Sequence, residues 1–126
     1  MASEETEFSD DFCQFLQSTI PAVEAAELLL ALRCDPARWW TLQEACGTLS
    51  AAEGERFVEV FESRGVIARD GEGRVQYRPQ SDSLAAHVRT LDKVYRERPV
   101  TLIRVIYGLR DSKIRSFADA FKLRRK

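Results

Sequence analysis

Two helix-start signals stand nine residues apart in this chain, and their spacing limits what lies between them. At Thr41 the hydroxyl can accept from the Glu44 amide while the Glu44 carboxylate reaches back to the Thr41 amide, the reciprocal arrangement of a capping box. Ser50 and Glu53 repeat the signal. Gly47 and Leu49 fall between the two, so the first helix has room for little more than two turns before the second begins. The second helix is predicted from Ala51 to about Arg64, with Phe57, Val60 and Phe61 on one face and Gly65 as its left-handed stop.

Past Gly65 the periodicity changes from helical to alternating. Val66 and Ile67 open a strand, Asp70, Gly71, Glu72 and Gly73 form a turn, and Val75 and Tyr77 alternate with Arg74, Gln76 and Arg78 until Pro79 ends the return strand. The predicted order over residues 41–78 is helix, turn, helix, hairpin.

That order resembles the winged helix-turn-helix family. Thr41 to Glu44, Ser50 to Glu53, the exit Ser63-Arg64-Gly65-Val66-Ile67 and the Gly-containing wing carry the likeness. The resemblance implies that the helix from Ala51 is the recognition helix, that residues 66–78 are the wing, and that Trp39 and Trp40 lie near a short first strand. It spans about half of the 126 residues and is specific for fold more than for function, because the family includes both DNA-binding repressors and modules that bind protein.

The remaining chain reads as helical support. Residues 1–7 are polar and aperiodic, and are expected to be disordered. Ser9 is a candidate cap for a helix carrying Phe8, Phe12, Phe15 and Leu16 on one side. Pro21 suits the first turn of the next helix, VEAAELLLALRC, which is apolar enough to be the central core element. After Pro79, Ser81 or Asp82 caps a long helix bearing Leu84, Val88, Leu91 and Tyr95, and Pro99 stops or kinks it. Residues 100–109 are apolar almost all round and require burial on more than one side, which points to Ile103 and Ile106 as a dimer contact. In the last stretch Ile114, Phe117, Ala118 and Phe121 recur at helical spacing among Lys113, Arg115, Lys122, Arg124, Arg125 and Lys126. Phe117, Phe121, Lys122, Arg124 and Arg125 are therefore candidate partner-binding residues. The fold class expected is mainly α with a small β-hairpin: one winged-helix domain over residues 8–126, with an added N-terminal helix and a C-terminal helical extension at 79–126.

Charge is distributed unevenly along the chain. Residues 1–40 carry −6, residues 41–78 carry −2 and residues 79–126 carry +7, within a total of −1. Such a gradient suits contact between the chain's own ends or a basic surface for an acidic partner. Placing Phe57 and Phe61 inward turns Ala52, Glu55, Glu59 and Glu62 outward, an acidic face for a helix expected to approach phosphates. Ser50, Ala52, Glu55 and Arg56 on the helix, with Arg69, Arg74 and Arg78 in the wing, are the candidate DNA contacts.

Two readings of function follow. One is a bacterial transcriptional regulator, binding double-stranded DNA as a homodimer; the bacterial setting also draws on Ala- and Arg-rich usage. The other is a protein-interaction module that docks a regulatory partner through the acidic helix or the basic C-terminus and does not bind DNA. No enzyme is expected, since phosphate-cradling loop and nucleophile motif are lacking and His87 is the sole histidine. Cys13, Cys34 and Cys46 lack paired spacing, so they read as reduced thiols in or near the core, with a redox role for Cys46 as the alternative. His87 is expected to be exposed or capping, and neither metal nor cofactor is expected. No apolar run approaches ~20 residues and the start MASEETEFSDD does not look like a signal peptide, so a cytoplasmic location without membrane contact is expected.

Overall fold

The computed structural model describes residues 8–110, and the expectations for residues 1–7 and 111–126 lie outside them. It is mainly helical, with one antiparallel hairpin. Helix α1, Asp10–Thr19, starts at Ser9, whose Oγ accepts from the Phe12 amide at 3.2 Å, and Asp10 and Asp11 face the positive end of its dipole. Phe12, Phe15 and Leu16 are buried by their spacing, and Phe8 packs at the edge. Pro21 falls ahead of the next helix, where the extended backbone of Ala22 supplies the cap. Helix α2, Val23–Cys34, buries Ala25, Ala26, Leu28, Leu29, Leu30 and Leu32. It is touched by the elements on several sides, as its all-round apolar character requires.

Helix α3 is Leu42–Cys46 and helix α4 is Ala51–Ser63. Both bonds of the Thr41 box form, Glu44 N to Thr41 Oγ1 at 3.1 Å and Thr41 N to Glu44 Oε1 at 3.0 Å. At Ser50 the hydroxyl half forms, Glu53 N to Ser50 Oγ at 3.2 Å. The end of α4 is a Schellman motif: Val66 N donates to Phe61 O at 3.0 Å and Gly65 N to Glu62 O at 3.1 Å, with Gly65 at φ +79°. A side chain at that φ would be strained, so the exit angle toward the hairpin depends on glycine.

Strands β1, Ile67–Arg69, and β2, Val75–Tyr77, pair in the register Ile67 to Tyr77 and Arg69 to Val75. Asp70 holds the turn, its Oδ1 accepting from the amides of Glu72 and Arg74 at 2.9 and 2.8 Å. The other edge of β2 receives Trp40, through reciprocal bonds of 2.8 Å between Trp40 and Val75. Gln76 departs from the outward direction its alternation predicts. It is buried because the segment before Trp40 covers that side of β2, and its Nε2 donates to Ala37 O at 3.0 Å.

Helix α5, Asp82–Glu97, is capped by Ser81 and closes over the core with Val88, Leu91 and Val94. Arg98 then ends α5, and Pro99 begins helix α6, Pro99–Arg110, which packs against α1 and α5. The uniform burial expected of residues 100–109 is not what forms. Leu102 and Ile106 are buried at 0% and 1% exposure, whereas Val100, Ile103 and Tyr107 are 62%, 37% and 40% exposed. Ile106 is thus a core residue and not a partner contact, because α6 turns that side onto the chain's own helices; Ile103 stays at the surface.

Two smaller expectations are also corrected. His87 is half-buried, its ring stacked on Phe15 with centroids 5.3 Å apart, because α1 crosses the face of α5 that carries it. Cys34 is exposed, sitting at the end of α2 where the core has already closed; Cys46 is buried and Cys13 half-buried. Among the described residues no single helix is long and apolar enough to cross a membrane.

Candidate interaction face

The outward side of α4 and the adjoining hairpin form the surface to which sequence assigned function. α4 presents that side because Phe57, Val58 and Phe61 are drawn into the core, and the Schellman turn then folds β1 back alongside it. Ala52, Glu53, Arg56, Glu59 and Glu62 are exposed. Ser50 is exposed too, but its hydroxyl is engaged as the cap.

Glu55 is the member whose placement differs from the expected one. It turns toward the hairpin and is half-buried, its two carboxylate oxygens accepting from Arg69 Nη2 at 2.9 and 3.1 Å. Arg69 also approaches Glu62, Nη1 to Oε1 at 3.9 Å. The hydrogen bond from Arg69 holds the Glu55 carboxyl below its usual range, and Glu55 in turn raises Arg69. Arg69 therefore clips the hairpin to α4 and brings little net charge to the surface.

Arg74 is engaged in the same way, Nε to Asp70 Oδ2 at 2.8 Å and Nη2 to Glu72 Oε1 at 3.5 Å. Arg78 is exposed and stands over the Trp39 ring at 5.9 Å. Of the seven helix and wing residues assigned to DNA, the geometry pairs Glu55 with Arg69 and leaves Ala52, Arg56 and Arg78 facing solvent.

The clip makes a pH prediction. A carboxyl whose folded pKa is depressed stabilises the fold above its unfolded pKa and loses that contribution as pH falls through the folded value. The Glu55–Arg69 pair should therefore stabilise the protein fully near neutral pH and progressively less below the ordinary glutamate value of 4.5. Arg69→Gln should lower the thermal midpoint at pH 7 and narrow the gap between variant and parent at pH 3. A gap that stays constant across that range would show that Arg69 acts through packing instead.

Beside this face lies a cleft that sequence reasoning missed. It encloses 360 Å³ between the α1–α2 turn at Pro21 and Ala22, the α4 side chains Glu53, Arg56, Phe57 and Val60, and Tyr107 of α6. Tyr107 lies one helical turn from Ile103 and Val60 one turn from Arg56, so the contributing stripes were legible, but their convergence was not. A second missed feature is Arg38, whose guanidinium lies 3.8 Å from the Trp40 ring centroid and 3.4 Å from Glu44. It braces the tryptophan that pairs with β2. Cys46 is enclosed under α4; burial, with the nearby Glu55 charge second, pushes its thiol pKa up, which disfavours the reactive thiolate a redox role requires.

No family model, curated protein or solved structure matches the chain.

Proposed function

We propose that the chain is a winged helix-turn-helix domain acting as a protein-interaction module, which offers the carboxylates of α4 to a basic partner. The single observation that carries this reading is Glu55 holding Arg69, with Glu53, Glu59 and Glu62 exposed alongside. A duplex approaching α4 meets carboxylates where affinity depends on cations, and the wing arginine nearest the helix already has an anionic partner. A basic protein surface meets complementary charge.

The DNA-binding reading, a bacterial regulator acting as a dimer, is favoured by exposed Arg56 at the flank of α4 and exposed Arg78 at the end of the wing. Fluorescence anisotropy with a random duplex separates the two. At physiological salt the protein should bind no more tightly than the ~1 µM end of the non-specific range. Glu59→Gln with Glu62→Gln should strengthen whatever duplex binding remains by relieving repulsion. Salt-sensitive binding near ~10 nM by the unaltered protein, weakened by Arg56→Ala and Arg78→Ala, would overturn the module reading.

A further inference from the structure

The cleft between α2, α4 and α6 sets charges of both signs against an apolar wall. Its α4 lining is Glu53, Arg56, Phe57 and Val60, which recur at helical intervals of three, one and three and so form one stripe; Glu24 of α2 and Tyr107 of α6 complete it. Phe57 is buried, Val60 is half-buried and Tyr107 is partly exposed, so the three grade from floor to rim. The side chains of Glu24, Glu53 and Arg56 are exposed. Glu53 and Arg56 stand at a spacing that commonly closes an ion pair on a helix. Among the described residues, however, neither they nor Glu24 form a side-chain ion pair or hydrogen bond. Two carboxylates and a guanidinium are left to a ligand.

Each feature constrains the occupant. A purely apolar molecule would strip water from the three charges and give them no partner. A simple anion meets two carboxylates, and a simple amine meets the guanidinium. A molecule bearing an ammonium and a carboxylate on one carbon, with an apolar body, satisfies all of them. Side chains three residues apart on a helix start about 5–6 Å from one another, which matches the charged end of such a molecule. At 360 Å³ the cleft is also of small-molecule size.

We propose that this cleft binds an α-amino acid with an apolar or aromatic side chain, in its zwitterionic form. Arg56 donates to the ligand carboxylate, Glu24 and Glu53 accept from its ammonium, and Phe57, Val60 and Tyr107 cover its side chain. The site lies away from the flank of α4 where Glu55 and Glu62 meet Arg69, and it does not rest on the module reading above.

A nitrogen-15 NMR titration of the full chain reads both affinity and place. L-Phenylalanine or L-leucine should shift the amides of residues 22–24, 53–60 and 107 saturably, with a Kd of about 0.1–1 mM, as a ligand of about ten non-hydrogen atoms allows. Phenethylamine and 3-phenylpropionate keep the ring and one charge each, and should bind about tenfold more weakly or worse. Arg56→Gln should weaken L-phenylalanine about tenfold without weakening phenethylamine, which has no carboxylate to lose. Glu24→Gln with Glu53→Gln should likewise weaken L-phenylalanine without weakening 3-phenylpropionate. All three positions are exposed, so far-ultraviolet circular dichroism should show an unchanged fold. Absence of saturable shifts up to about 10 mM of either amino acid would overturn the proposal. Single-charge analogues that bind as tightly would reduce the cleft to an apolar slot and overturn it too, as would affinities that ignore the three substitutions. The titration contains neither partner nor DNA, so its failure leaves the module reading standing.

Discussion

Ile106→Asp should abolish stable folding, while Ile103→Asp, one turn away on the same helix, should leave the fold intact. Ile106 is 1% exposed, and its neighbours in the core are apolar, so an aspartate there loses the burial of the isoleucine and gains no hydrogen-bond partner for the new carboxyl. Those two terms, roughly 2–3 kcal/mol for the side chain and a few more for the unpaired polar group, approach the whole stability of a domain this size. At Ile103, 37% exposed, the carboxylate remains hydrated and the loss should be about 1 kcal/mol or less. Urea unfolding followed by far-ultraviolet circular dichroism reads both. Equal effects would mean that α6 is rotated from the orientation described, and the dimer contact expected from residues 100–109 would regain Ile106.

Gly54→Ala is the second large effect, and its sign opposes helix propensity. Glycine inside a helix ordinarily costs about 1 kcal/mol relative to alanine, so an exposed site would be stabilised by the change. Gly54 is buried where α3 crosses α4, and a Cβ built on it would overlap Cys46 Sγ. The clash is expected to cost more than the propensity gains, for a net loss of about 1–3 kcal/mol. Cys46→Ala removes the sulfur and leaves Cys46 Cβ at 3.5 Å, an ordinary contact. In that background Gly54→Ala should be neutral or stabilising. The double-mutant cycle then yields a coupling of about 2 kcal/mol or more, measured by thermal or denaturant unfolding. A single Gly54→Ala variant that melts higher than the parent would show that α3 and α4 are not in such close contact.

This pair of helices also illustrates how far local signals reach. The capping box at Thr41, the cap at Ser50, the stop at Gly65, the Asp70–Gly73 turn and the caps at Ser9 and Ser81 all rest on bonds between residues within a few positions of one another, and each formed where its spacing placed it. Element order and type, and the burial of α2, follow from those signals and from periodicity alone.

What the local signals could not carry is which of two compatible faces each element would bury. Gly54 looks locally like a flaw in α4 and makes sense only once Cys46 is set against it. Glu55, Glu59 and Glu62 are one outward stripe in sequence; the Schellman turn at Gly65 lays Arg69 beside Glu55 and removes that carboxylate from the exposed set. Gln76 alternates as a surface residue until Ala37 offers it a carbonyl from 39 positions away. Residues 100–109 are apolar on both sides, and composition does not rank one side over the other. Contact with α1 and α5 buries Leu102 and Ile106, leaves Ile103 exposed and sets Tyr107 in the wall of the cleft beside α4. Short-range hydrogen bonding and periodicity thus determined the elements of this protein, while the direction each one faces was decided by long-range packing, since only there do separate stretches compete for the same buried volume.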